Sequence, residues 1–256
     1  MAIVSLSSRN VSLTLSMTIQ TYATYEELSR KTADLIIESV KDKPNPLVCL
    51  ASGHTPIGVF KCLVEDVKTG KLDVSNWTFI GLDEWNGMNG STKGSCRQMM
   101  DEDLFEPLNI PEKQIVFFDG TQPNVQAQCD EVNELIHQHG GLDVMLVGIG
   151  LNGHIGMNEP GTDFDTFAHI SQLAEETISV GQKYFPGETK LSTGITMGLK
   201  HFQEARLPII MANGEKKAGI IAKVAASQPI ESLPASIVHM APQAYVMVDR
   251  AAGSLL

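Results

Sequence analysis

The chain has 256 residues, of which 43% are hydrophobic, and a formal net charge of -11 at pH 7. This length suffices for one large α/β domain with a substantial buried core, so a second domain is not required. The 30 Asp and Glu residues outnumber the 19 Lys and Arg residues, which argues against binding to nucleic acid or to an anionic membrane. An anionic ligand must therefore be held by a local pocket.

Taken in chain order, segments with helical periodicity alternate with short apolar runs. The predicted elements are a helix at 25–40, a strand at 47–50, a helix at 56–68, strands at 78–82 and 115–118, a helix at 125–139, strands at 144–148 and 207–212, a helix at 215–226 and a strand at 245–248. Continuous apolar strands are typical of parallel strands buried on both faces. The alternation predicts a doubly wound, mostly parallel sheet with helices on both faces, which is a Rossmann-like α/β fold in a single domain.

The first sixteen residues differ from the rest of the chain. They carry one Arg and a weakly apolar run that Ser and Thr interrupt, without a convincing cleavage site. We expect residues 1–16 to be a poorly ordered tail and residues 17–256 to be one domain. No stretch approaches the roughly 18 apolar residues of a membrane span. The four cysteines are widely spaced, as in free thiols of a reducing compartment, so we predict a cytoplasmic protein.

Four loops that follow predicted strands are rich in glycine and reactive polar residues, at 52–56, 83–85, 150–160 and 214–217. The carboxyl ends of parallel strands meet at one edge of a sheet, and ligands usually bind in the crevice there. We therefore expect these four loops to converge on one site.

The first loop contains Ser52, Gly53, His54 and Thr55, and Pro56 follows in the first turn of the predicted helix. Free backbone N–H groups at a helix start suit a phosphate group. An ordinary turn capped by Thr55 would have the same pattern. On these residues alone, both interpretations stay open.

Two further loops carry charged pairs. Asp83 and Glu84 follow an apolar strand and precede Trp85, where burial can raise the pKa of a carboxyl and make it a useful base. Lys216 and Lys217 lie at a predicted helix start, where the helix dipole disfavours a positive charge but where such a charge is well placed to bind phosphate. Asp83 and Glu84 could equally form a solvated acidic turn, and Lys216 and Lys217 could equally form a solvated basic turn.

The segment 148–160 is the most informative in the chain. Its glycines permit positive φ angles and close approach to a ligand, and His154 and Glu159 supply an acid/base pair. The run is not a dinucleotide fingerprint, because it continues into His-Ile-Gly and Asn-Glu-Pro rather than into a plain helix start. We therefore predict no nicotinamide cofactor. Zinc-like ligand spacing and a GxSxG elbow are both missing from the sequence, which argues against metal or serine-hydrolase chemistry.

Five motifs occur together in one order: SG-x-TP, LDEW, G-x-NGH-IG-x-NEPG, LSTGITMGL and G-x-KK. In this the sequence resembles the glucosamine-6-phosphate deaminase (isomerase) family from Met17 onward, and more closely its galactosamine-6-phosphate deaminase/isomerase branch. The 6-phosphogluconolactonases share the fold and a GHxxxxxP loop but typically lack Asn-Glu-Pro. Glu159 therefore favours the deaminases.

The resemblance implies a cofactor-independent and metal-free hydrolase acting on C–N bonds. It would isomerise and deaminate a galactosamine or glucosamine 6-phosphate, releasing a ketohexose 6-phosphate and ammonia. Asp83 would carry a proton between C2 and C1, His154 would handle the ring oxygen, and Glu159 would orient and charge-stabilise His154. Asn152 stands where the family usually has an Asp, so we expect Glu159 to be the sole acidic partner of His154.

The resemblance also implies a phosphate site. Ser52, Gly53, His54, Thr55 and Lys217 would bind the 6-phosphate, together with Lys183, at a position where the family usually has an Arg. We assign Glu84 and Gly153 to substrate binding as well. The expected partner is a small sugar phosphate, with no nucleic acid and no membrane, and the sequence leaves a homo-oligomer open.

Two alternatives remain. A 6-phosphogluconolactonase-type hydrolase would need a base and phosphate anchors but no carrier for a C2 proton. A sugar-phosphate sensor would keep the pocket and lose turnover, and Asn152 is the residue that favours this alternative. The loops do not decide between the gluco and galacto configurations.

Overall fold

The computed structural model describes residues 17–256, so the predicted tail at 1–16 lies outside the described residues. Its strands are, in chain order, β1 (Thr18–Tyr22), β2 (Leu47–Leu50), β3 (Thr78–Gly81), β4 (Asp83–Trp85), β5 (Ile115–Val116), β6 (Val144–Val147), β7 (His169–Gln172), β8 (Thr193–Thr196), β9 (Leu207–Ala212) and β10 (Tyr245–Asp249). Seven of them form a sheet in the order β1-β10-β9-β6-β2-β3-β5, in which every neighbouring pair is parallel. The other three form a small antiparallel sheet in the order β4-β8-β7.

Within residues 17–256, eight α-helices connect or flank these strands. They are α1 (Tyr25–Val40), α2 (Ile57–Lys68), α3 (Cys96–Met100), α4 (Glu106–Leu108), α5 (Val125–His139), α6 (Glu175–Gly181), α7 (Leu199–Glu204) and α8 (Ala218–Ala226). A π-helical turn (Asp101–Phe105) joins α3 to α4, and short 3-10 turns occur at Gln182–Tyr184, Glu215–Lys217 and Pro234–Met240.

Local capping defines the longer helices. At the start of α1, the Thr24 hydroxyl accepts the Glu27 N–H at 3.2 Å, and the Glu27 carboxylate accepts the Ala23 N–H at 2.9 Å. At α5, the Asn124 side chain caps the start and Gly140 ends the helix with φ of 82°. The Thr, Glu and Asn side chains accept N–H groups that have no partner within the first helical turn. Glycine tolerates the left-handed backbone conformation at the end of a helix.

The core lies on both faces of the large sheet. On one face, Cys49 and neighbouring strand residues pack with α5 and α8. On the other face, Val48 and Leu50 pack with α1 and α2. Alternate residues of one buried strand thus serve two apolar layers, so the doubly wound α/β fold predicted from the sequence is confirmed.

The structure differs from the predicted elements at several places. The small antiparallel sheet and β1 were not predicted, because their strands are short or exposed on one side and carry no continuous apolar run. The helix predicted from residue 215 begins as a 3-10 turn and becomes α-helical only at Ala218. Each of the six predicted strands is present; two have the predicted bounds, and the others differ at one end by one or two residues.

The strand order places a crevice between β2 and β6. From β2 the chain winds outward through β3 to β5, and it then returns to β6 on the other side of β2 and winds outward through β9 to β10. This reversal is the topological switch point at which doubly wound sheets bind ligands. The loops that leave β2 and β6 are the ones that contain Ser52 and His154.

Candidate active site

A cavity of about 570 Å³ opens at this switch point. All four loops that were expected to converge contribute side chains to its wall, including Ser52, Asp83, His154 and Lys217. The volume is in the range of pockets that bind small molecules. Strand polarity is the reason for the convergence, because each of these loops follows the carboxyl end of a strand.

One end of the cavity is cationic. Lys183, Lys216 and Lys217 line it together with Ser52, His54 and Thr55. Burial lowers the pKa of Lys217, and the charge of Lys183 lowers it further. Burial also lowers the pKa of Lys183, and the charge of Lys216 lowers it further. The ammonium groups therefore repel one another in a protein that is acidic overall, and a bound phosphate dianion would relieve that repulsion.

The loop at residues 52–55, which was expected to bind phosphate, is held in place from two sides. The Tyr25 hydroxyl of α1 donates to the Thr55 carbonyl at 2.9 Å and accepts the Gly58 N–H at 2.8 Å. On the other side, the His54 ring stacks on the Tyr184 ring with centroids 5.4 Å apart. Helix α2 has no side-chain cap at its start, so Thr55 is not the N-cap that an ordinary turn would use.

Two glycines that were assigned to substrate binding lie outside the cavity wall. Gly53 has φ of +86°, and a Cβ there would lie 2.9 Å from the Tyr184 hydroxyl. Gly153 has φ of +88°, and its Cβ would lie 2.3 Å from a methyl carbon of Leu233. Their task in this structure is to let the two loops turn and pack closely, because other residues are strained there.

Asp83 lies on the cavity wall at the start of β4 and is 9% exposed. Burial raises the pKa of its carboxyl to about 6, and the Cys96 thiol partly offsets this rise. A carboxylate of this kind is ionised at pH 7 and still basic enough to take a proton from carbon. This is the environment that a strand end beside apolar residues was expected to create.

Glu84 was assigned to substrate binding, but the structure places it elsewhere. Its side chain is fully buried and turned away from the cavity, where it accepts the N–H groups of Trp85, Cys96 and Arg97 at 2.8, 3.0 and 2.9 Å. Burial raises the pKa of its carboxyl to about 7 although these N–H groups lower it. Consecutive residues of a strand point to opposite sides, so Asp83 and Glu84 do not share a task.

Replacing Glu84 with Ala is expected to lower the free energy of unfolding by about 3 kcal/mol, because it leaves two buried N–H groups and one partly buried N–H group without an acceptor. The matched control is Glu112→Ala, which removes a carboxylate that is 74% exposed and pairs with Arg97. That control should cost less than about 1 kcal/mol. Urea unfolding of both variants measures the difference, and equal values would contradict the anchoring task of Glu84.

His154 also lines the cavity, and its side chain is 21% exposed. Its Nδ1 atom lies 3.2 Å from the Thr177 hydroxyl and 3.7 Å from a carboxylate oxygen of Glu159. Burial lowers the pKa of the imidazole, and Lys217 lowers it too, whereas Glu159 and Glu176 raise it. The ring is therefore neutral at pH 7, with Nε2 as the nitrogen left for a ligand.

Behind His154, Asn152 and Glu159 form a hydrogen-bonded support outside the cavity wall. The Asn152 amide donates to Glu159 at 2.9 Å, and its carbonyl accepts the His154 N–H at 3.0 Å. Glu159 also accepts the N–H of Ala174, just before α6, at 3.2 Å. Asn152 thus holds both the carboxylate and the loop that presents the imidazole.

Several cavity residues were missed in the sequence. Among residues 17–256, Glu159 is the one carboxylate within 4 Å of the imidazole. Thr177 also contacts His154, and Glu176 raises the pKa of the imidazole to a smaller extent than Glu159 does. Thr177 and Glu176 lie in α6, which packs over the cavity but has no motif that would mark it. Cys96 and Tyr184 also line the wall. Tyr184 follows the predicted site residue Lys183 directly, whereas Cys96 is distant in sequence from the recognised loops.

No group of three or more His, Cys, Asp or Glu side chains within residues 17–256 is arranged to hold a metal ion. No helix in the same part is long and apolar enough to cross a bilayer.

The fold and the cavity define a doubly wound α/β protein with a pocket that joins a cationic end to an acid/base end. A family model described as glucosamine-6-phosphate isomerases/6-phosphogluconolactonase matches residues 20–247. The chain belongs to this family.

Relatives and solved structures refine the comparison. The chain is 38% identical to a glucosamine-6-phosphate deaminase of Geobacillus sp. (strain WCH70) and 37% identical to glucosamine-6-phosphate deaminase 2 of Bacillus subtilis (strain 168), in each case over 91% of this chain and 94% of the relative. The structure of a monomeric glucosamine-6-phosphate deaminase superposes with a TM-score of 0.90 at 31% identity, covering 94% of this chain and 100% of that one. A 6-phosphogluconolactonase from Trypanosoma brucei shares the fold, with a TM-score of 0.75 at 18% identity over 94% of this chain and 99% of that one.

Proposed function

We propose that this protein converts a 2-amino-2-deoxyhexose 6-phosphate and water into a ketohexose 6-phosphate and ammonia. The observation that carries the proposal is the composition of the cavity. The buried carboxylate of Asp83, the neutral imidazole of His154 and three lysine side chains all line it. The names of the relatives favour glucosamine 6-phosphate, whereas the sequence motifs favour the galactosamine branch.

The cationic end supports the anchoring of the substrate. Lys217, Lys183 and the Ser52 to Thr55 loop would bind the 6-phosphate, which fixes the sugar carbons at the other end of the cavity. Holding the sugar in this way places its reacting carbons next to the catalytic side chains and lowers the entropic part of the activation barrier. His154 would then take the proton of the C1 hydroxyl at Nε2 and pass it to the ring oxygen, which opens the ring to the aldehyde, with Glu159 and Thr177 holding Nδ1 so that Nε2 faces the sugar.

Asp83 would next remove the C2 proton of the open aldose. The electron pair left on C2 forms the double bond to C1, and the C1 oxygen takes a proton, which gives an enolamine. Asp83 returns its proton to C1, and the C2–N bond becomes an imine. Water adds to C2 and ammonia leaves, so that the ketose carbonyl forms without any change in overall oxidation state.

The deciding experiment is an assay of purified protein with glucosamine, galactosamine and mannosamine 6-phosphates and with 6-phosphogluconolactone. Ammonia and ketohexose 6-phosphate should appear in equal amounts with at least one amino sugar. Lactone hydrolysis without ammonia release would overturn the proposal in favour of a lactonase. Calorimetric binding of an amino-sugar phosphate without turnover would instead identify a sensor.

The pH dependence offers a further prediction. Because Asp83 must be ionised to act as a base and burial raises the pKa of its carboxyl to about 6, kcat/KM should fall tenfold for each pH unit well below 6. An exposed aspartate would show this fall only near pH 4. Measuring kcat/KM from pH 4.5 to 8.5 checks the prediction, and an activity that stays constant down to pH 4.5 would contradict it.

A further inference from the structure

Lys183 lines the cationic end of the cavity with a side chain that is exposed to solvent. Its neighbour there, Lys217, is partly buried and donates to the Ile149 carbonyl, which holds that ammonium in place. A lysine ammonium is a point charge on a flexible stem of four carbons. To bind a phosphate at a fixed place, the ammonium of Lys183 therefore needs a support of its own.

The aromatic ring of Tyr184 provides this support. The Lys183 Nζ atom lies over that ring, 4.9 Å from its centroid. A cation within about 6 Å of the face of an aromatic ring is attracted by the quadrupole of the ring. Lys183 and Tyr184 are consecutive residues of the 3-10 turn Gln182–Tyr184, which follows α6. The position of the ring therefore decides where the ammonium lies.

Tyr184 is in turn packed against two other segments of the chain. The His54 ring stacks on the Tyr184 ring, with centroids 5.4 Å apart and an interplanar angle of 26°. A Cβ at Gly53 would lie 2.9 Å from the Tyr184 hydroxyl, and a Cβ at Gly94, just before α3, would lie 2.5 Å from the Tyr184 carbonyl oxygen. These close approaches leave Tyr184 little room to move, so its ring is a fixed surface for the ammonium.

We propose that Tyr184 is a positioning residue for phosphate binding, because its ring holds the Lys183 ammonium while the His54 ring holds the Tyr184 ring. The inference rests on the proposed function, since it takes the phosphate group of the substrate as the ligand of Lys183. The contacts join the turn after α6 to the loop at residues 52–55. The lysine and the loop are thus arranged before the substrate binds, which lowers the entropic cost of ordering them on binding.

Two substitutions of Tyr184 separate the ring from its hydroxyl. Tyr184→Leu keeps an apolar side chain but removes the ring face, so the Kd for inorganic phosphate and the KM for the sugar phosphate should both rise about fivefold. The change should leave kcat within about twofold, because the phosphate is remote from the reacting carbons. Tyr184→Phe keeps the ring and should restore Kd and KM to within about 1.5-fold of the unmodified protein. Calorimetric titration and steady-state kinetics measure these constants.

Phe185→Leu is the matched control, since it removes the next ring in the chain, which packs edge-on against Trp85 with centroids 6.0 Å apart. It should change the Kd for phosphate less than about twofold, because this ring does not hold the ammonium. An effect as large as that of Tyr184→Leu would overturn the proposal, as would unchanged phosphate binding in Tyr184→Leu.

A double-mutant cycle tests whether Tyr184 acts through Lys183. Lys183→Met should weaken phosphate binding at least as much as Tyr184→Leu does. In the Lys183→Met protein, Tyr184→Leu should then change the Kd by less than about 1.5-fold, because the ring has no ammonium left to hold. A purely structural ring would have the same fivefold effect in both proteins, and that result would refute the positioning role.

A nuclear magnetic resonance measurement needs no turnover. The ring current of Tyr184 should shift the signals of the methylene group beside the Lys183 ammonium upfield, and comparison with Lys183→Met assigns these signals. The shift should be lost in Tyr184→Leu, kept in Tyr184→Phe and reduced in His54→Ala. If no amino-sugar phosphate is turned over but the shift and phosphate binding follow this pattern, the proposed function fails while the positioning role stands. If turnover occurs but the unmodified protein shows no such shift, the positioning role alone fails.

Discussion

Replacing Asp83 with Asn is expected to lower kcat for amino-sugar phosphate deamination by about 10³-fold, with KM changed by less than about threefold. The amide fills the same space on the cavity wall but cannot accept the C2 proton at neutral pH. Because the step that it blocks precedes imine formation, release of ammonia and formation of the ketose should fall together. Coupled assays for both products measure the effect.

The same variant should be more stable than the unmodified protein, which separates lost chemistry from lost folding. The carboxyl of Asp83 has its pKa raised from 3.8 to about 6, so its ionisation is unfavourable in the folded state. Above pH 6, Asp83→Asn should therefore gain up to about 3 kcal/mol in the free energy of unfolding. This gain should disappear as the pH falls toward 4, where the unmodified carboxyl is protonated.

Thermal unfolding at pH 8 and pH 4.5 follows this difference. If Asp83→Asn kept both its substrate binding and its full activity, Asp83 would not be the proton carrier. If it lost activity and stability together at pH 8, the account of an unfavourably buried carboxylate would be wrong.

Replacing Lys217 with Met is expected to raise KM for the phosphorylated substrate by about 100-fold, which corresponds to roughly 3 kcal/mol of binding energy. Lys217 is partly buried at the cationic end and donates to the Ile149 carbonyl, so its ammonium is held in place rather than free to adapt. Methionine keeps the length of the side chain and removes the charge. The effect should fall mainly on KM, because the phosphate is remote from the carbons that react.

Lys216→Met is the matched control, since its side chain lines the same cavity but is exposed to solvent. It should raise KM only a few-fold, because solvent screens an exposed charge. Steady-state kinetics with glucosamine 6-phosphate compare the two variants. Equal effects would show that overall charge near the pocket matters rather than the placed ammonium of Lys217.

The cationic end also explains how an acidic protein can bind an anion. The chain carries a net charge of -11, yet three lysines come from two separate segments to one end of one cavity. A local arrangement of this kind outweighs the general charge of the surface, because interactions beyond about 8 Å are screened at physiological salt.

Much of this site was predictable from local sequence and strand polarity. Continuous apolar runs predicted parallel strands, and parallel strands place the loops that contain Ser52, Asp83, His154 and Lys217 at one edge. That inference needs only the order of elements along the chain, which is why it agrees with the observed switch point between β2 and β6.

The tertiary structure decided which side of each loop faces the cavity. Asp83 and Glu84 are adjacent carboxylates, and only the pairing of β4 with β8 determines that the first lines the pocket while the second binds the start of α3. The same holds for Thr177, which reaches His154 through a contact between segments distant in sequence. Sequence patterns report local geometry and burial, whereas these contacts depend on how helices pack across the sheet edge.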